Sequence, residues 1–259
     1  MEKEKYLGTI GDAGIFSLGM YKNINSWYGG VVVSNNKELI DKIRFEISRY
    51  NYKKPLFILK KILKGLMLDL FTFPPIFRPL TYWIFRYGFL HGISRINQLV
   101  EIELDLKLKD KIPSKYLARY TPFQARLAFS QLGRINEEIA VRNKKAALYR
   151  EGLRNIPELV LPSEPEDGGS LYVYPVFPIQ YKNRLALLKW LMLNKRDIAA
   201  QHLKNCADLE AFSAFYRDCP IARKTADETV LLPTYPRYPD SEIRKNIQVI
   251  RSYFQINAG

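Results

Sequence analysis

Ser17 and Lys22 flank a short segment, Ser17-Leu18-Gly19-Met20-Tyr21-Lys22-Asn23, that lies between two apolar runs. A lysine at the end of a buried strand is costly unless it is paired, exposed or chemically used. A lysine with a depressed pKa is the usual nucleophile for a Schiff base with a carbonyl. A serine hydroxyl and glycine-exposed amides beside it suit a phosphate group. Taken alone, the same residues more often describe an ordinary loop lysine. Other chemistries are poorly provided for. The chain has two histidines, His91 and His202, and no CxxC or HExxH, which argues against a zinc site and against a Ser-His-Asp hydrolase. Cys206 and Cys219 are too few for a disulfide framework and point to a reducing compartment.

The order of residues around Lys22 is more specific than their types. Gly11-Asp12, Phe16-Ser17, Lys22-Asn23 and Gly29-Gly30 opening Val31–Val33 follow one another in GDAGIFSLGMYKNINSWYGGVVVSNN. This segment resembles the Schiff-base segment of the DegT/DnrJ/EryC1/StrS family of sugar aminotransferases. The resemblance implies that Lys22 holds pyridoxal 5′-phosphate covalently and that Ser17 is a ligand of the cofactor phosphate. It continues through Gln124-Ala125, Gln131-Leu132, Arg134-Ile135 and Arg142 to Leu153. Farther on it takes in Cys219-Pro220-Ile221-Ala222, Leu231-Leu232-Pro233 and Ile243–Phe254.

The resemblance implies a C-terminal portion of a fold-type I, pyridoxal-phosphate-dependent transferase. Such an enzyme aminates nucleotide-linked keto-sugars for polysaccharide or cell-surface glycan synthesis, with an amino acid, usually glutamate, as donor. It also implies a homodimer, or pairing with a separate N-terminal half. The phosphate turn, the ring-stacking aromatic and the aspartate of the pyridinium nitrogen would lie before residue 1. One position departs from the pattern. Where many members carry an asparagine that reaches the partner's cofactor, this chain has Leu117, which cannot donate a hydrogen bond. An inactive fragment and a non-catalytic regulatory or membrane-surface protein are the alternative readings. His202 is a possible pocket residue, though a structural or exposed role is commoner for a lone histidine.

The elements that must position Lys22 begin with the short apolar runs at 14–18 and 31–33, which read as buried strands. Asn35-Asn36 caps a helix from Lys37 to about Tyr50, with Leu39, Ile40, Ile43 and Ile47 expected on its buried face. Ala128, Leu132, Ile135, Ile139, Ala146, Tyr149 and Leu153 mark one face of a long helix over 122–153, with a bend expected near Gly133. Strands are expected at 158–161, 171–180, 197–201 and 230–232. Helices are expected at 184–193 and, after an Asp240/Ser241 cap, through Ile243, Ile247, Ile250 and Phe254. Strands alternating with helices indicate an α/β or α+β fold.

The 259 residues carry 40 Lys+Arg against 26 Asp+Glu, a net charge of +14 that favours anionic partners. Half of that excess lies in residues 51–100, where eight Lys/Arg face one acid, Asp69, and ten of the 34 aromatics are found. A basic amphipathic helix is expected at 56–70, ended by Phe73-Pro74-Pro75. The segment reads as a hydrophobic insertion packing on its own protein or a partner, or as an interfacial membrane contact. No RNP-like or GXXG signature supports nucleic acid as a ligand. The expected organisation is therefore a large-domain remnant at 1–50, an insertion at 51–115 and a long helix with a small domain at 116–259. On that reading, removal of 56–89 leaves the remainder folded. The location expected is the cytoplasm, with membrane association through 51–100.

Overall fold

The computed structural model describes residues 6–20, 22–97, 108, 110–164, 172–200 and 204–257. His202 lies outside them. In chain order the elements are β1 (Gly14–Ser17), β2 (Gly30–Val33), α1 (Lys37–Ser48), α2 (Pro55–Thr72), α3 (Pro74–Ile76), α4 (Tyr82–Leu90), α5 (Ser94–Asn97), α6 (Pro122–Leu132) and α7 (Ile135–Leu153). They continue with β3 (Val176–Gln180), α8 (Arg184–Leu193), β4 (Ala199–Ala200), α9 (Pro220–Glu228), β5 (Thr229–Pro233) and α10 (Asp240–Asn257). The fold is mixed α/β. Two compact units divide it, the first Met1–Phe73, Lys109–Ala140 and Glu164–Val173, the second Pro74–Leu108, Val141–Ser163 and Tyr174–Gly259. Neither unit follows the boundaries at 50 and 115 expected above.

In the first unit β1 and β2 form an antiparallel ribbon, with Gly14 opposite Val33 and Ser17 opposite Gly30. The strands are where they were expected, but they are not buried. Ile15 is 81% exposed, and Phe16 and Val31 are also exposed. A ribbon of two strands has two faces and can bury neither without a layer packed over it. The same lack of a covering layer reaches α1. Asn36 caps it, its side chain accepting from the Leu39 amide at 3.0 Å, yet Leu39, Ile40 and Ile43 are only half-buried and Ile47 is exposed. α2 begins with Pro55 at its first turn and ends at Phe73, whose φ/ψ of −62°/125° is the extended conformation forced by the proline that follows.

The second unit holds the main core. Its sheet runs β3-β5-β4, all antiparallel, with Phe177 opposite Leu232 and Ile179 opposite Val230. Those four side chains are fully buried together with Leu187 and Leu191 of α8, Tyr149 and Leu153 of α7, and Ile243 and Ile250 of α10. The expected strand at 171–180 is shortened to β3, and that at 158–161 is reduced to a single bridge between Val160 and Gln180. α9 is not among the expected helices, and it buries none of its residues. The long helix breaks at Gly133, as expected, into α6 and α7. Only its C-terminal part is core, since Leu132 is half exposed whereas Ala146, Tyr149 and Leu153 are sealed.

The aromatic segment after Pro74 is part of this unit. The Tyr82 hydroxyl donates to the Met192 carbonyl, and Arg86 Nη1 donates to the Leu193 carbonyl at 3.3 Å. These are among the last carbonyls of α8, which have no partner within their own helix. Phe89 packs on the core cluster, and Tyr82 is buried. The expectation that 56–89 is dispensable is therefore corrected for its second half. Ion pairs fix the start of α10. Lys145 Nζ, nearly buried, donates to the Tyr238 carbonyl at 2.5 Å and to Asp240 at 3.0 Å. Arg196 meets Glu242 at 2.6 Å.

Deleting Pro74–Leu90 should lower the melting temperature of the second unit, and Tyr82→Phe alone should cost about 1 kcal/mol, both read by thermal denaturation. Two carboxyls in the first turn of α10 sit below their ordinary range: Asp240 through its hydrogen bond from Lys145, and Glu242 through those from Lys245 and Arg196. A depressed folded-state pKa gives stability that is present above the unfolded value and lost as pH falls through the folded one. Stability should thus decline on acidification below about pH 4.5, and Glu242→Gln should flatten that decline in denaturant titrations.

Candidate active site

Ser17 ends β1 and Lys22 lies in the connection from β1 to β2, both exposed. The backbone of that connection closes on itself. Leu18 N–H donates to the Gly29 carbonyl and Ser26 N–H to the Leu18 carbonyl, both at 2.9 Å, while Lys22 N–H donates to the Gly19 carbonyl at 3.1 Å. Gly19 N–H is directed at Ser17 Oγ at 3.5 Å. One small turn thus carries a hydroxyl, a glycine amide and a primary amine. Among the described residues Lys22 makes no ion pair.

The returning half of this loop is gripped by α6. Thr121 and Gln124 form a reciprocal cap at its start, the Gln124 amide donating to Thr121 Oγ1 at 3.3 Å and the Thr121 amide to Gln124 Oε1 at 3.2 Å. With Oε1 so used, Gln124 Nε2 donates to the carbonyls of Ser26 at 3.1 Å and Tyr28 at 2.7 Å. Gln124 is 1% exposed, so each of its polar atoms has to be satisfied by protein. Two turns on, Gln131 repeats the grip. Its Oε1 accepts from the Asn25 amide at 3.0 Å and its Nε2 donates to the Asn25 carbonyl at 2.8 Å.

Tyr120 completes the arrangement. Its hydroxyl donates to Ser26 Oγ, which in turn donates to the Leu18 carbonyl at 3.1 Å, one residue from Ser17. Burial pushes the Tyr120 phenol above its ordinary pKa, against the Ser26 hydrogen bond, so it stays a donor at neutral pH. Its ring lies where a side chain at Gly29 would go, 2.7 Å from the Cβ position, and Gly29 has φ of 103°. Only glycine meets both demands. Trp27, at φ 71°, is held in the left-handed region by its amide donating to Asn25 Oδ1 at 2.8 Å.

Ser17 and Lys22 therefore share one turn, while Leu117 lies outside this network, exposed at the end of a short 3-10 turn. Gln124, Gln131, Tyr120 and Ser26 had no role assigned from sequence. The Thr-x-x-Gln spacing of residues 121–124 is the one local signal that marks the cap.

Comparison with known proteins places these residues in context. The profile of the DegT/DnrJ/EryC1/StrS aminotransferase family matches residues 90–251. Over 114 residues the chain is 32% identical to the UDP-4-amino-4,6-dideoxy-N-acetyl-beta-L-altrosamine transaminase of Campylobacter jejuni, covering 44% of this chain and 26% of that protein. It is 23% identical over 263 residues to the spore coat polysaccharide biosynthesis protein SpsC of Bacillus subtilis, covering 96% of this chain and 55% of that one. A solved structure of E. coli GDP-4-keto-6-deoxy-D-mannose-3-dehydratase with bound hydrated PLP matches with a TM-score of 0.62 at 16% identity, over 96% of this chain and 56% of that one. The chain thus has the fold of these enzymes and spans little more than half the length of the proteins it matches end to end.

Gln124→Ala should cost about 2–3 kcal/mol, the penalty for stranding two buried carbonyls and a cap. Amide hydrogen exchange should rise at residues 22–29 before it rises in the second unit.

Proposed function

Because the chain belongs to the DegT/DnrJ/EryC1/StrS aminotransferase family, we propose that it forms the lysine-bearing half of a pyridoxal-phosphate-dependent enzyme that aminates nucleotide-linked keto-sugars for glycan synthesis. The observation that carries this reading is the loop itself: an exposed Lys22, free of ion pairs among the described residues, whose backbone amide closes on the Gly19 carbonyl, with the Gly19 amide directed at the Ser17 hydroxyl. That donor set suits pyridoxal 5′-phosphate, whose aldehyde takes an amine and whose phosphate takes hydroxyl and amide donors.

The roles follow from the groups present. Lys22 Nζ would hold the cofactor through its aldehyde carbon, with loss of water, and once freed by an amino-acid donor the same amine would serve as the general base. When bound, the cofactor supplies the electron sink for that proton transfer. Ser17 Oγ and Gly19 N–H hold a phosphate oxygen. Gln124, Gln131 and Tyr120 touch none of the reacting groups; they fix the loop that presents Lys22. The net positive charge of the chain draws a nucleotide-diphosphate substrate toward it. The relatives' names support this substrate class, one acting on a UDP-linked amino sugar and another serving spore coat polysaccharide.

The chain's share of its relatives' length supports a further proposal, that a second polypeptide segment, an N-terminal half or a homodimer partner, completes the site in the cytoplasm. Supplied with that half, the protein should leave a pyridoxyl group on Lys22 after borohydride reduction, located by peptide mass spectrometry, and Lys22→Ala should abolish it. Without that half, cofactor affinity should fall by about two to four orders of magnitude, the loss of roughly two charge-assisted contacts. A pyridoxyl group on another lysine would show that Lys22 has been misassigned.

A further inference from the structure

α2 carries an apolar row that nothing among the described residues of its own unit covers. Leu56, Leu59, Leu63, Leu66, Leu70 and Phe73 follow alternating spacings of three and four, and all six are between 49% and 61% exposed. Met67 widens the row. The helix is not free to turn this face inward, because its other side is already engaged. Ile58 is buried, Phe57 meets the Tyr28 ring edge-on at 5.3 Å, and Gly65 lies so close to Trp27 that a Cβ there would be 2.0 Å from the indole. The row therefore faces outward along a helix about 27 Å long. A contiguous row of this kind marks an interaction surface, unlike apolar residues scattered singly.

The charges beside the row select the partner. Lys53, Lys54, Lys60, Lys61 and Lys64 precede or accompany it, and Asp69 is the one acid between residues 51 and 100. At 100° per residue Lys60 and Lys64 border the row directly, next to Met67. A second copy of the helix would set these lysines against each other. No helix among the described residues is long and apolar enough to cross a membrane. Exposed leucines beside lysines match a lipid–water interface in chemistry, the leucines meeting acyl chains and the ammonium groups meeting anionic headgroups.

We infer that α2 seats this chain on an anionic lipid surface, with the leucine row submerged and Lys60 and Lys64 at the headgroup phosphates. The inference does not depend on Lys22 or on any bound cofactor. It is tested by co-sedimenting the 259-residue chain with vesicles of phosphatidylcholine alone and of phosphatidylcholine mixed with phosphatidylglycerol. The mixed vesicles should bind it, the neutral ones should not, and added salt should weaken binding. Lys60→Gln and Lys64→Gln should each lower the partition about fivefold. Leu63→Asp with Leu66→Asp should abolish binding while leaving the thermal melt unchanged, since both positions are exposed. Should that double variant melt early, the lysine variants and the salt series still decide. Several results would overturn the inference: no binding to mixed vesicles, binding unaffected by all four substitutions, a dimer that Leu63→Asp dissolves, or preference for an acidic amphipathic peptide over vesicles. Loss of vesicle binding when an N-terminal half is supplied would also do so, by showing that the row is an internal face.

Discussion

A two-stranded ribbon cannot hold the loop between its strands by burial, so the loop that carries Lys22 depends on side-chain amides for its shape. Gln124 has one oxygen and one nitrogen, and the oxygen is spent on capping α6. The nitrogen is left to bridge the Ser26 and Tyr28 carbonyls. The start of the helix and the shape of the loop are therefore one decision. Tyr120, one residue before the cap, extends it through Ser26 to Leu18, and Gly29 makes room for the ring. A buried amide with every polar atom used specifies its surroundings tightly, because any shift strands a donor or an acceptor.

The helices were legible wherever a cap and an apolar stripe coincided. Asn36 before α1 and the isoleucine spacing of α10 are such cases, and the structure follows both. Burial was less legible, because it is a property of what lies opposite. Val31 to Val33 read as a buried strand from their type alone, yet the ribbon has no layer over it. Ile179, in a segment with fewer β-branched residues, is sealed because its strand pairs with β5 inside the main core cluster. Of the candidate site, the order of residues from Gly11 to Val33 singled out Ser17 and Lys22. The glutamine grip was not legible, since hydrogen bonds spanning 96 to 106 positions leave no local trace.

Composition treated residues 51–100 as one material, and the fold does not. Before Phe73-Pro74 one row of α2 side chains, Leu56, Leu59, Leu63, Leu66 and Leu70, is exposed with lysines beside it. After it, Tyr82 and Phe89 point into a core, and Arg86 spends its charge on a helix end. The proline pair marks the change, because an extended Phe73 lets the chain leave one helical direction and begin another. Aromatic content by itself does not separate the two roles. What separates them is whether the apolar side chains are exposed, as Leu63 and Leu66 are, or sealed, as Tyr82 is.

That distinction bears on how the +14 charge is to be understood. In the second unit several cations are committed: Lys145 to Tyr238 and Asp240, Arg196 to Glu242, and Arg223 to Asp208 and Asp218. Such pairs fix local geometry and offer little to a ligand. Between residues 51 and 100 Asp69 is the one acid, and on α2 the lysines Lys60 and Lys64 stand beside exposed leucines. Repulsion among those lysines and the exposed apolar row both raise the free energy of the bare surface in water. A single kind of neighbour relieves both, one that is apolar within and negatively charged at its edge.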